Sequence, residues 1–166
     1  MSIAWQNFRQ VERGVPSGCR LFRSSAPFYG GRDEPQVLDQ DAVAHLVRNG
    51  INTILSLNGQ PYTLDAQALL SAARIAYHHM PVPDFTAPTR EIFNTAFQLA
   101  SQSPGLLVHC GAGFGRTGTV ITAIQLLTSS GASPESHLWQ SQNRVETAGQ
   151  IGALRTLRDE LLVPRT

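Results

Sequence analysis

Residues 105–119, GLLVHCGAGFGRTGT, constrain the fold more than any other stretch of this chain. Leu106, Leu107 and Val108 form a short apolar run of the kind buried on both faces of a parallel sheet. Glycines follow at 111, 113 and 115, and from Thr117 the pattern TGTVITAIQLLTSSG predicts a helix closed by Gly131. Strand, glycine loop and helix in that order make a strand-to-helix turn, which belongs to layered α/β architectures.

The remaining pattern agrees with that class. PQVLDQDAVAHLVRNG predicts a helix with Val43, Leu46 and Val47 on one face and Gly50 as its left-handed stop. INTILSL predicts a β-branched strand, YTLDAQALLSAARIA a second helix, and YHHMPVP a strand stopped by Pro81 and Pro83. TREIFNTAFQLASQ predicts a helix with Ile92, Phe93, Ala96, Phe97 and Ala100 as its stripe. SPESHLWQSQ reads as a helix with Ser133 as N-cap and Pro134 as its first residue, and TAGQIGALRTLRDELL as the last helix. Near the start, CRLFRSS suggests an edge strand. The expectation is one α/β domain over 1–166, with a mostly parallel central sheet flanked by helices.

Composition narrows the partners. A formal net charge of +1 provides no global field toward nucleic acid or a membrane surface, so attraction for an anion has to be local. No apolar run reaches the roughly 20 residues of a membrane helix, and the first residues show no signal-peptide pattern. Two cysteines, Cys19 and Cys110, are too few for a disulfide framework, which points to a reducing, cytoplasmic compartment. The expectation is a monomer without cofactor or metal; His78 and His79 are adjacent and have no ligand spacing.

A helix N-terminus leaves N–H groups unpaired and carries partial positive charge. A glycine loop curling over it aims amides at a common centre and forms an anion nest. Arg116 adds a planar fork that matches two oxygens of a phosphoryl group. The same field favours the thiolate form of a thiol, so Cys110 reads as a nucleophile within a phosphate cradle. The plain alternative is a glycine-rich turn around a structural cysteine.

Cysteine, five residues, arginine, then a hydroxyl residue is the signature of cysteine-dependent phosphatases, and HCGAGFGRTG matches it at every defined position. With VPDFTAP before the loop, GRTGTV after it and VETAGQ near the end, the chain resembles the small atypical dual-specificity phosphatases of the protein tyrosine phosphatase superfamily. Rhodanese-type sulfurtransferases use cysteine and arginine at related spacing, but the preceding His109 and the Arg-Thr-Gly continuation favour the phosphatases.

The resemblance implies that Cys110 attacks phosphorus and forms a phosphocysteine, while Arg116 and the amides of Gly111, Ala112, Gly113, Phe114, Gly115 and Arg116 hold the equatorial oxygens. Thr117 would donate to the Cys110 sulfur, and His109 would order the loop through a backbone hydrogen bond. Asp84 matches the family's general acid; its competitors Asp33, Glu34 and Asp65 read as solvated charges. Gln150 and Glu146 map onto the segment that positions water or braces the arginine, although Thr147 with Gln150 also fits a capping box. The chain departs from relatives at QNRVET, where many carry an Arg-Pro pair, which leaves Asn143 and Arg144 without a role. FRSSAP also resembles a segment of related phosphatases, with Arg23 equally readable as plain surface.

By the same resemblance, relatives that prefer inositol phospholipids or polyphosphates often carry basic residues in this loop, so the absence of lysine here favours phosphoproteins or small esters. The short chain favours a shallow cleft that admits phosphoserine and phosphothreonine as well as phosphotyrosine. Inositol pyrophosphates or another small phosphate ester are the alternative substrate. A non-catalytic phosphate-binding module is the rival of a different class.

Overall fold

The structure, a computed structural model, describes residues 4–164. Five strands form one sheet in the order β1-β2-β5-β3-β4. They are β1 (Arg9–Val11), β2 (Arg20–Ser24), β3 (Thr53–Ser56), β4 (Ala76–His79) and β5 (Gly105–His109). Every pairing is parallel except β1 with β2. The α/β class and mostly parallel sheet therefore hold. The strand in CRLFRSS is not at an edge, because β1 pairs along its outer side (Arg9↔Arg23, Val11↔Leu21). Three residues with a single buried side chain give no strand pattern in sequence.

Alternation along the strands divides the core in two. Leu21, Leu55, Leu106 and Val108 face one layer, while Phe22, Ile54 and Leu107 face the other. The first layer packs α3 (Arg90–Gln102), α4 (Gly115–Thr128) and α6 (Ala148–Leu162) through Phe93, Ala96, Val120, Ile124, Leu154 and Leu157. The second packs α1 (Gln40–Arg48) and α2 (Leu64–Ala72) through Val43, Leu46, Ala66 and Leu70. Helix α1 begins later than the pattern suggested, because the Asp39 carboxylate caps it by accepting from the Ala42 N–H at 2.8 Å. Val47 is 55% exposed and does not share the buried face; Ala42 does. Gly50 takes the expected left-handed φ of 70°.

Residues 133–142 differ more. A 3-10 turn (Ser136–Leu138) leads into the short α5 (Trp139–Asn143), so Ser133 is not an N-cap. Instead the Ser133 N–H donates to Ser129 Oγ at 2.9 Å, and buried Trp139 donates from Nε1 to the Pro134 carbonyl. Helix α4 lies so close to the end of α5 that a Cβ on Gly118 would sit 1.9 Å from the Asn143 carbonyl oxygen. Asn143 fixes the contact by donating to Thr122 Oγ1 at 2.8 Å and Gln125 Oε1 at 2.7 Å. Among the described residues, no helix is long and apolar enough to cross a membrane.

Candidate active site

The carboxyl ends of β2, β5, β3 and β4 converge on one edge of the sheet, where ligands of open α/β folds bind. Cys110 follows β5 directly and is only 2% exposed. Register places Arg20 beside Gly105 and Ser24 beside His109, so Cys19 lies at the opposite end, about 20 Å away at ~3.3 Å per residue. No disulfide can join the two cysteines across that span.

The loop's carbonyls are pulled outward one after another. The carbonyl of Cys110 meets His109 Nδ1 at 2.9 Å, and that of Gly111 accepts from the Ala26 N–H at 2.7 Å. Asn7 donates to the Ala112 carbonyl at 3.1 Å, and Arg23 to the Gly113 carbonyl at 3.0 Å. The N–H groups of Gly111, Ala112, Gly113 and Phe114 have no protein acceptor among the described residues. Four successive N–H groups without a protein acceptor beside the cavity over Cys110 mark a place for an anion. Gly113 is indispensable to this geometry: its φ is 89°, and a Cβ there would come within 2.6 Å of the Ser24 backbone.

Helix α4 starts at Gly115, two residues earlier than the sequence pattern suggested, with no side-chain cap. Its open N-terminus therefore points into the loop, and Arg116 lies in its first turn. The Gly115 N–H is taken, donating to Glu146 Oε1 at 2.8 Å. Arg116 is buried and its four terminal N–H groups have acceptors close by. Its NH1 donates to Asp33 Oδ2 at 2.6 Å and the Val82 carbonyl at 3.0 Å, while NH2 donates to Asp33 Oδ1 at 3.0 Å. The second side of NH2 faces Asp84 Oδ1 at 3.2 Å. Nε has no partner. Burial opposes the charge on Arg116, but Asp33 and Cys110 overcome it and hold its pKa above the ordinary value.

Asp33 is accordingly no solvated charge. Its carboxylate is 19% exposed and also accepts from the Gly59 N–H at 2.8 Å. Burial pushes this carboxyl up, but hydrogen bonds from Arg116 and Gly59 outweigh that and hold it below its ordinary value. Nothing in local pattern distinguishes Asp33 from Glu34, which pairs with Arg32 on the surface. Only the return of the loop after β2 to the end of β5 reveals the difference.

Asp84 follows β4 on an exposed turn, with its side chain 49% exposed at the mouth. Phe85, at φ 62° and 65% exposed, donates its N–H to Asp84 Oδ1 at 2.9 Å. Gln150 holds this turn: its Nε2 donates to the Thr86 carbonyl at 3.1 Å, while its Oε1 accepts from the Glu146 and Thr147 N–H groups. The capping box of Thr147 and Gln150 is thus present, and the same Gln150 side chain ties α6 to the acid-bearing turn. Thr117 sits beneath the loop with its hydroxyl buried and unpaired, making no bond to Cys110.

His109 is fully buried, with Nε2 2.8 Å from the Tyr62 hydroxyl. Burial lowers its pKa to about 4, so it is neutral at pH 7. The cavity over Cys110 has a volume of about 150 Å³, and its walls include Tyr29, Asp84, Phe85, Phe114 and Arg116. Sequence reading missed Tyr29 and Tyr62 and took Asp33 for a solvated charge, because each reaches the site from a segment without a motif.

Comparison with known proteins shows the family. Residues 26–163 match the family model described as Swiss Army Knife protein, DSP-PTPase phosphatase domain. No curated protein matches. Among solved structures, kinase associated phosphatase with a serine at its catalytic cysteine superposes at TM-score 0.72 and 20% identity, over 96% of this chain and 98% of that one. Tk-PTP in its active form gives 0.57 and 28%, over 78% and 93%. The core catalytic domain of the PP-IP phosphatase SIW14 from S. cerevisiae gives 0.65 and 18%, over 96% and 90%. With a family match over residues 26–163, most of its length, the chain belongs to the DSP-PTPase phosphatases.

Proposed function

We propose that this protein hydrolyses phosphate monoesters through a phosphocysteine on Cys110, with phosphorylated proteins as substrates. The supporting observation is the set of donors left unpaired around the nucleophile: four successive loop amides and Arg116 Nε. A phosphoryl group supplies the oxygens that these donors lack.

In the first step the Cys110 thiolate attacks phosphorus; an S–P bond forms as the ester P–O bond breaks. Asp84 gives its proton to the departing oxygen. Arg116 grips two equatorial oxygens through Nε and the side of NH2 now facing Asp84, so substrate entry requires that carboxyl to turn from NH2 toward the leaving group. In the second step Asp84 takes a proton from water, whose oxygen attacks phosphorus; the S–P bond breaks and inorganic phosphate leaves. The Thr117 hydroxyl is free to donate to the returning thiolate. Gln150 acts by holding the Asp84 turn, and Glu146 by anchoring the Gly115 amide.

The small cavity with Tyr29, Phe85 and Phe114 in its walls suits a phosphorylated side chain entering from a protein surface. The test is turnover of phosphopeptides, inositol phosphates and an activated aryl phosphate, with Cys110→Ser as control. Hydrolysis of phosphopeptides that the variant lacks supports the reading. Turnover confined to inositol phosphates moves the protein to small phosphate esters, and phosphate binding without turnover makes it a binding module.

A further inference from the structure

The free amides of the catalytic loop owe their direction to whatever holds the carbonyls that precede them. A trans peptide is planar, so its C=O and N–H point opposite ways, and a carbonyl held outward aims the next N–H inward. His109 does this for the Gly111 amide by holding the Cys110 carbonyl, and the Ala26 N–H does it for Ala112 by holding the Gly111 carbonyl. Asn7 holds the Ala112 carbonyl, donating from Nδ2 at 3.1 Å, and thereby aims the Gly113 N–H.

This third clamp has a different origin. Asn7 is exposed and lies 105 positions before Ala112, ahead of the matched residues 26–163. The segment that carries it is fixed on the chain after β2. The carbonyls of Ala4 and Gln6 accept from the Phe28 and Ser25 N–H groups, each at 2.8 Å, and buried Trp5 donates from Nε1 to the Ala42 carbonyl at 3.1 Å. Asn7 itself takes a left-handed φ of 55°, which asparagine tolerates better than most residues. The peptide plane that it holds is bordered by Gly113 at a φ of 89°, and glycine is the residue that least resists turning such a plane over. A reversed plane would present the Ala112 carbonyl to the anion in place of a donor.

We infer that Asn7 is a positioning residue for the reaction: its side-chain amide fixes the Ala112–Gly113 peptide with the N–H toward the phosphoryl group, which makes the segment ahead of β1 part of the active site. The kinetic consequence rests on the phosphatase reading above, whereas the binding consequence does not.

The test is Asn7→Gly, which keeps the left-handed backbone and deletes the donor. One such hydrogen bond corresponds to roughly a 2- to 10-fold loss in kcat/KM for an activated aryl phosphate, with urea midpoints confirming a folded protein. The residue-specific readout is the glycine-selective amide NMR spectrum of Cys110→Ser at saturating inorganic phosphate. Phosphate should shift the Gly111 and Gly113 amides together. Adding Asn7→Gly should remove most of the Gly113 shift and leave that of Gly111, which His109 holds. Equal loss of both shifts marks a general disturbance of the loop and overturns the inference, as do retention of both, no shift of Gly113 before the substitution, or wild-type kcat/KM. Asn7→Asp has the same size and suits the same backbone region, but sets an acceptor against the Ala112 carbonyl; it should lose at least as much as Asn7→Gly, and a wild-type rate in it also overturns the inference. Should Asn7→Gly fail to fold, Asn7→Asp carries both measurements. If the wild type turns over no ester, the phosphatase reading falls and the amide spectra alone decide the role of Asn7.

Discussion

Asp33 provides the sharpest test of how the site is built. Substituting alanine removes two acceptors, at 2.6 and 3.0 Å, from a guanidinium that is 2% exposed. Each charge-assisted bond contributes about 1.5–3 kcal/mol. Arg116 would keep the Val82 carbonyl and Asp84 as partners, and the partly exposed Asp33 carboxyl is screened by solvent. The net loss of orientation is then about 2 kcal/mol. At ~1.4 kcal/mol per decade this is about 30-fold in kcat/KM. Asp33→Asn should lose at least as much, because its amide turns a donor toward one guanidinium nitrogen. The assay is hydrolysis of an activated aryl phosphate, with urea midpoints confirming a folded protein. A positioning role lowers kcat in a folded variant. An Asp33→Ala enzyme with undiminished kcat/KM and tighter phosphate binding would refute the argument, since the carboxylate would then be a competitor for Arg116.

Asp84→Asn should reduce hydrolysis of phosphopeptides by roughly 10²–10⁴-fold while sparing an activated aryl ester, because only a basic leaving oxygen requires the proton. Equal losses on both substrates would return the acid role to the other carboxylates. His109 makes a separate, thermodynamic prediction. Its folded pKa is about 4 against about 6.5 unfolded, so between those values the unfolded chain binds the extra proton. Stability should therefore fall as pH drops through that window, by about 3 kcal/mol in full, and His109→Asn should remove that part of the slope in urea midpoints. An unchanged slope in the variant would place the acid sensitivity elsewhere.

Strands β2 to β5, the long helices and the nucleophile loop were legible because each depends on local pattern: apolar runs, 3.6-residue stripes, and glycines where φ turns positive. Gln150 was legible in both of its guises, since the capping box is a local motif and its reach to Thr86 uses the same side chain. Arg23 and Asp33 were not. One lies buried beneath the loop and the other forks onto Arg116, yet in sequence Arg23 reads equally well as plain surface at the end of a strand, and Asp33 as a solvated charge in a polar loop. Their roles come from strand order, which brings β2 against β5, and the sequence contains no signal for that adjacency. The misplaced start at Ser133 has a similar origin. The serine-proline pair suits a helix N-terminus in isolation, but Trp139 burying itself beneath that segment moves the helix start downstream.

The strand adjacency also sets when activity can appear during folding. The parallel pairing that flanks the nucleophile joins Arg20 to Gly105, about 85 positions apart, and the loop closes only when Gly113 packs on the Ser24 backbone. Helices form from neighbours within a few residues, whereas this contact requires closure of a long chain segment. A refolding molecule would thus regain most of its helical signal before its cradle exists. The return of turnover after dilution from denaturant should lag behind circular dichroism, with the kinetics of the β2–β5 junction itself. Simultaneous recovery of both signals would place that junction early in folding.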